Sequence, residues 1–494
     1  MQLTVHPKET GLKPDAWQII WVSRKTPQIW GSSPLSKRYR HLISVILEQN
    51  DHLSELGHVE RLYVQPGIGL GGCVLIGIGS DNHLSAMKFR QMMIAAAKEV
   101  HKLRISSLIV DFSMICVIDR NICWMTQAFA QIFLEQPYKY REGERAAAET
   151  MPEDVLILGE EAQRTDIQRG IDRGVALAQA SLIVRRFADT PGNICTPTWL
   201  ADRASELSAK HPLKCHTIGP DVMQELGMGL LLGVSQGSIQ EPRMIVLEYQ
   251  GGEVEASPVV LIGKGITFDA GGISLKPALH MGRLKYDMSG GATVIGAILT
   301  AALAKLPINV VAVIPAAENL PDGKATKPGD VHVGMSGLSV EILNTDAEGR
   351  LALADALTYA DKFHPDIVID IATLTRARFI ALGAHACALY SNDKELSHDL
   401  CMAGEESLDR IWPMPLWEEY HEELQSQFAD LANIGGDGGG SITAACFLSR
   451  FAERYRWAHI DGGGMFTESA AGLAPHVPLL AQYLFHYADT KAVT

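Results

Sequence analysis

Two short stretches of this chain crowd ionisable side chains against apolar runs. "NTDAEGRL" (344–351) sets Asp346, Glu348 and Arg350 at alternate positions, and "GKGITFDAGGISLKPALHMGRLKYDMSGGA" (263–292) carries Lys264, Asp269, Lys276 and Asp287. Taken singly, each has an ordinary explanation. Asp287 and Asp346 suit helix caps or turns, and a lone lysine is usually solvated. Taken together, four carboxylates fall in the strand-to-helix loops of one α/β segment and point to the same end of its sheet. Converging like charges must be protonated, separated or neutralised by cations. Two divalent ions about 3.5–4 Å apart would neutralise such a set and support metal-assisted hydrolysis. These loops hold no cysteine and no zinc-finger histidine pair, so an oxygen-rich site tolerating Zn, Mn, Co or Mg is expected rather than a thiolate site. Lys264, directly at a strand end, is the candidate neutral-amine ligand. Lys276, beyond the glycine pair, is the candidate to stabilise an oxyanion, and Arg350, in the first turn of a helix, is the candidate anion holder.

The elements that must position these residues are legible as alternating strands and helices. "MIVLEY", "VVLIG", "INVVAVIP", "DIVIDIA" and "WAHID" read as strands. Val294, Ala297, Ile298 and Ala301 form one core-facing helical stripe; Leu353, Ala356, Leu357 and Ala360 form another. Strands that end in polar, Gly-rich loops match the rule that ligands bind at the carboxyl ends of open α/β sheets. Nearer the N-terminus, "GCVLIGIG", the helical "HLSAMKFRQMMIAAAKEVHKLR" and "ISSLIVDF" form a βαβ unit, with "AWQIIWV" as another strand. A long helical pattern then stops at "DTPGN". The expected organisation is an N-terminal α/β domain over 1–160, a connecting helix over 161–190, and a larger α/β catalytic domain over 191–494 with a mixed, mostly parallel sheet.

Bulk properties narrow the function. A net charge of −14 argues against a general binder of nucleic acid or anionic membrane. No apolar run approaches the roughly 20 residues that span a bilayer, and the first residues lack a signal-peptide apolar core. The eight cysteines are scattered without a C-x-x-C pair, as expected of reduced thiols in the cytoplasm. "GIGLGG" (67–72) matches a dinucleotide fingerprint literally, but it precedes a strand rather than opening a helix, so it reads as a loop.

The motifs also resemble a known family, the leucine (cytosol) aminopeptidases, which are dinuclear metallopeptidases. "NTDAEGRL" is similar to that family's signature octapeptide, and "GKGITFDAGGISLKP" and "KYDMSGGA" to its other metal-site segments. Weaker likeness runs through "ENLPDGKATKPGDV", "NICTPTWLA", "GMGLLLGVSQGS", "NIGGDGGGSITAACFL" and "WAHIDGGG", covering 180–490. The resemblance implies release of N-terminal amino acids from short peptides. Lys264, Asp269, Asp287 and Glu348 would hold one divalent ion (Mn or Zn) and Asp269, Asp346 and Glu348 the other. Lys276 would polarise the scissile carbonyl, and Arg350 would bind a bicarbonate acting as general base. The resemblance further implies a homohexamer whose active sites face an interior cavity. Segment matching places Leu284, Thr373, Arg376, Gly463 and Phe466 around the pocket for the first side chain. Arg376 stands where the family has glycine; it would fill that pocket or pair with an acidic N-terminal residue, unless it points elsewhere. The alternatives are a catalytically altered or inactive member with a binding or structural role, an aminopeptidase preferring acidic residues, and a dinuclear phosphoesterase.

Overall fold

A computed structural model describes residues 1–7, 15–23, 44–46, 48, 50–63, 71–79, 83–140, 151–279, 281–462 and 476–491. The chain divides into two compact units, Met1–Gln179 and Ala180–Thr494, with the division falling inside the helix Arg164–Asp189.

Unit 1 is built on a six-stranded sheet of β1 (Gln2–Pro7), β2 (Trp17–Ser23), β3 (Val59–Tyr63), β4 (Gly72–Gly79), β5 (Ser107–Asp111) and β6 (Asp154–Gly159), ordered β1–β6–β5–β2–β4–β3. Every pairing is parallel except β3–β4. The buried runs of β2, β4 and β5 fit strands covered on both faces, as parallel sheets require. The expected βαβ helix spans Ala86–Val100, capped by Ser85, whose hydroxyl accepts the Lys88 N–H. Gly72 opens β4, in keeping with a loop-to-strand reading of "GIGLGG"; Gly67 and Gly69 lie outside the described residues.

Unit 2 carries a nine-stranded sheet: β7 (Lys214–Ile218), β8 (Arg243–Gln250), β9 (Val259–Gly263), β10 (Gly265–Asp269), β11 (Asn309–Asn319), β12 (Ile367–Ala372), β13 (Cys387–Ser391), β14 (Ile411–Pro413) and β15 (Arg456–Asp461). The order is β14–β13–β15–β12–β9–β11–β8–β7, with β10 beside the later half of β11. The central strands β15, β12, β9 and β11 are mutually parallel. Their carboxyl ends therefore lie together, and register fixes who meets whom: Gly263 faces Ile371, Ala372 faces Asp461, and Asp269 faces Asn319.

The helix Ser289–Leu303 is buried well beyond its predicted stripe, since every residue from Ser289 to Ala302 is enclosed. Sheet covers one side, and the other meets further helices: a Cβ on Gly296 would lie 2.5 Å from Val184 and 3.0 Å from Val477 side-chain carbons. Composition alone would let Met281–Leu303 cross a membrane, but 89% of its most apolar stretch is buried inside the protein. The helix Gly349–Tyr359 likewise buries its whole stripe against the core that holds Val260, Val368 and Trp457. Together with the first unit, this is a two-domain α/β architecture with mostly parallel sheets.

Candidate metal centre

Lys264 is the first residue past β9. Its backbone N–H donates to Ile371 O at 3.1 Å. Its ammonium lies 2.7 Å from Asp287 Oδ2 and 2.7 Å from Glu348 Oε1, and donates to Thr373 O at 3.1 Å. The residue is only 2% exposed. Glu348 reaches it because the helix behind it begins with glycine: a Cβ on Gly349 would sit 2.6 Å from Lys264 Cε.

Asp269 ends β10 opposite Asn319. Its Oδ1 accepts from the Gly271 N–H and from Asn319 Nδ2, both at 2.9 Å, while Oδ2 lies 2.8 Å from Lys276 Nζ. Gly271 holds φ +91°, a left-handed value that lets the loop double back until the Lys276 N–H reaches Ala270 O at 3.0 Å. The Lys276 ammonium thereby bridges Asp269 and Asp346. The Thr345 hydroxyl donates to Gly271 O at 2.7 Å and accepts the Ser274 N–H at 2.8 Å, clamping this loop to the one bearing Asp346. Asp287 lies in the 3-10 turn Met281–Met288 and accepts the Thr373 hydroxyl at 2.5 Å. Arg350 is buried in the first helical turn and donates through Nη1 to Asn433 O at 2.7 Å. Its Nε is buried without a hydrogen-bond partner among the described residues.

The structure thus brings all seven charged residues together. Four carboxylates against two ammonium groups and one guanidinium leave an excess of negative charge in a largely buried pocket. Burial pushes every one of the four acids above its ordinary range, with added repulsion at Asp269 from Glu348, at Asp346 from Asp269, and at Glu348 from Asp287. Burial alone would push the lysines down. At Lys264 the Asp287, Glu348 and Asp269 charges outweigh it, and at Lys276 the Asp269, Glu348 and Asp346 charges do, so both stay cationic among these protein groups. A dication set between the acids inverts that local field, which is what a neutral-amine role for Lys264 requires. Burial lowers the Arg350 guanidinium to about 10, still charged at neutral pH.

The donor set suits divalent cations. One carboxylate oxygen each from Asp269, Asp346 and Glu348 lie within 4.8 Å of one another. Among the described residues, both Glu348 oxygens, Asp287 Oδ2 and Asp346 Oδ1 are buried with no hydrogen-bond partner apart from the lysine ion pairs that reach three of these four atoms. Buried lone pairs of this kind are costly unless something electropositive meets them.

Of the pocket residues expected from the sequence, Leu284 is half-buried on the 3-10 turn and Thr373 touches Asp287 and Lys264 directly. Arg376 begins the short helix Arg376–Leu382, exposed and with no ion pair among the described residues. Gly463 and Phe466 lie outside the described residues. Sequence reasoning missed three supports. Asn319 aligns Asp269. Asn433 accepts the Leu343 N–H at 2.8 Å and donates to Asn344 O at 2.7 Å, holding the "NTDAEGRL" loop. Asp461 accepts the Thr375 and Ser441 hydroxyls at 2.5 and 2.6 Å, fixing the loop that carries Thr373. Asn319 and Asp461 each close an apolar strand with a polar residue, a signal that was present in the sequence.

The chain is similar to known proteins over most of its length. Residues 182–477 match the model of the cytosol aminopeptidase family catalytic domain, and 23–143 that family's N-terminal domain. A probable cytosol aminopeptidase of Acidithiobacillus ferrooxidans is 46% identical over 458 residues, 91% of this chain and 92% of the relative. One from Chromohalobacter salexigens is 41% identical over 500 residues, covering 100% and 98%. Among solved structures, the bottromycin maturation enzyme BotP superposes with a TM-score of 0.80 at 29% identity, covering 96% of this chain and 100% of that one.

Proposed function

The chain belongs to the cytosol aminopeptidase family and is a leucyl aminopeptidase-type hydrolase; from that premise we propose that it removes N-terminal residues from short peptides with two divalent ions, Mn or Zn, at the acidic pocket. The observation that carries the reading is the triad of buried Asp269 and Glu348 with half-buried Asp346, whose oxygens converge within 4.8 Å with lysines as their ion-pair partners. Lys264, Asp269, Asp287 and Glu348 would hold one ion, and Asp269, Asp346 and Glu348 the other. When bound, the ions supply Lewis-acid polarisation and a water acidic enough to attack at neutral pH.

The chain's own residues divide the remaining work. Lys264 has a side chain 3% exposed and cannot leave its nest, whereas that of Lys276 is 21% exposed and faces the open side. Lys276 therefore donates to the scissile carbonyl oxygen as it gains negative charge. Arg350, whose Nε has no partner among the described residues, holds a bicarbonate-sized anion that takes the attacking proton. Thr373 orients Asp287 and, with Leu284 and Arg376, would line the pocket for the first side chain. The enzyme acts in the cytoplasm as a homohexamer.

The decisive test is release of the N-terminal amino acid from a short peptide, lost with chelator and restored by Mn or Zn. Activity that survives complete metal removal refutes the reading. A second reading, preference for N-terminal Asp or Glu, is favoured by the exposed Arg376, three residues from Thr373 and with no ion pair among the described residues. On an aminoacyl substrate panel it requires glutamate turnover to exceed leucine turnover and Arg376→Gly to reverse that order. Leucine preference unchanged by Arg376→Gly refutes it.

A further inference from the structure

Away from the acidic pocket, unit 2 holds a second group of chemistry-bearing side chains that the proposed reaction leaves unused. Cys387 opens β13, and its Sγ lies 3.5 Å from His476 Nε2. The Nδ1 of the same ring lies 2.9 Å from Asp409 Oδ1. The three side chains form a line of thiol, imidazole and carboxylate. An Nδ1–H donated to the carboxylate sets the ring's orientation and makes the nitrogen facing the sulfur more basic. His476 and Leu408, the residue before Asp409, both hold left-handed backbone, at φ 58° and 61°, which is uncommon outside glycine.

The charged groups facing the thiol are His476, Arg378 and Asp409. Burial pushes the Cys387 thiol up, but the imidazole and then the Arg378 guanidinium outweigh that and leave it below its ordinary value, while His476 is held well above its own. Several other thiols go the opposite way. Burial raises Cys73, Cys195 and Cys446 to about 12, and it also raises Cys215 and Cys401.

We propose that Cys387 is a modification site, a thiol poised for oxidation by small hydroperoxides with His476 as proton donor. This does not rest on the function proposed above. The thiolate sulfur attacks one peroxide oxygen; an S–O bond forms and the O–O bond breaks. Sulfur is oxidised by two electrons to sulfenic acid, and the peroxide is reduced. The departing hydroxide takes the Nε2 proton of His476 and leaves as water, and the imidazole is left neutral. Cys387 is 6% exposed, which favours a small oxidant such as hydrogen peroxide over a bulky aromatic disulfide.

The test treats the folded full-length protein with hydrogen peroxide at pH 7 in the presence of dimedone, and follows each cysteine by peptide mass spectrometry. The exposed Cys116 is the internal reference. Cys387 should be trapped about tenfold faster than Cys116 although it is far less accessible. His476→Gln and Asp409→Asn should each slow Cys387 to about the Cys116 rate or below. Trapping of Cys116 ahead of Cys387 in the unmodified protein overturns the proposal whether or not the variants fold. An unchanged Cys387 rate in a folded His476→Gln protein, checked by its melting curve, overturns it as well.

Discussion

Asn319→Leu removes a side chain that ties Asp269 to the loop carrying Thr345. Asn319 is 4% exposed at the end of β11, and its amide donates to Asp269 Oδ1 and to Thr345 O, both at 2.9 Å. Leucine is close in size but offers no donor, so Asp269 keeps only the Gly271 N–H and the Lys276 ion pair. A hydrogen bond to a charged group is worth roughly 1.5–3 kcal/mol, and a neutral one about 1. The metal-free protein should therefore lose about 2.5–4 kcal/mol of stability, read from urea unfolding of chelator-treated protein. If Asp269 bridges two ions, its orientation also governs affinity, and removing such an outer support weakens binding by about 10–100-fold. Competition of Mn or Zn against a chelator of known affinity measures that directly. A variant that loses the expected stability yet binds metal within twofold of the parent would refute the reasoning. In that case Asn319 serves only the loop, and Asp269 is no ligand.

Glu348→Gln should empty the site of metal together with activity, whereas Lys276→Ala should lower turnover at near-normal metal content, because Lys264 is sealed among the acids and Lys276 is not; metal analysis beside kinetics on both variants separates the roles. Asp355 tests burial in the helix that carries Arg350. It accepts the Leu231 and Met335 N–H groups at 2.9 and 2.8 Å, and burial pushes it from 3.8 up to about 7. A raised carboxyl stabilises the fold fully below about pH 4 and loses that contribution as pH climbs through 7, a total of about 4 kcal/mol. The unfolding free energy of the parent minus that of Asp355→Asn should therefore fall by roughly 1.4 kcal/mol per pH unit between pH 5 and 7 and level off above; a difference flat across that range is the contrary result.

Much of this architecture was readable because the informative signals are local. The strands "VVLIG", "DIVIDIA" and "WAHID" are near-continuous apolar runs, and each became a central or near-central parallel strand buried along most of its length. Acids and lysines in the loops after such strands had one plausible direction to point. What stayed hidden depends on pairing. Asn319 meets Asp269 only because β10 adds alongside β11 in one particular register. Asp461 supports the Thr373 loop only because β15 neighbours β12. A helical stripe also understates burial when both sides of a helix are covered, as at Ser289–Ala302. The line from Cys387 through His476 to Asp409 joins three distant segments, none of which carries a recognisable motif.

The two lysines show how far residue type alone leaves function undetermined. Both have glycines close by in sequence, both bridge two carboxylates, and neighbouring charge holds both cationic against the pull of burial. What separates them is backbone. Lys264 follows a strand end with no intervening loop, so its stem runs under the helix start at Gly349 and its ammonium is enclosed. Lys276 follows a reversal at Gly271 that returns it from the solvent side, so the same ammonium closes the pocket as a cover. An enclosed amine can only bind or balance what lies inside. A covering amine can swing toward whatever enters. Exchanging those backbone contexts, by a side chain at Gly349 or the loss of left-handed freedom at Gly271, should blur the distinction more than any conservative change to the lysines themselves.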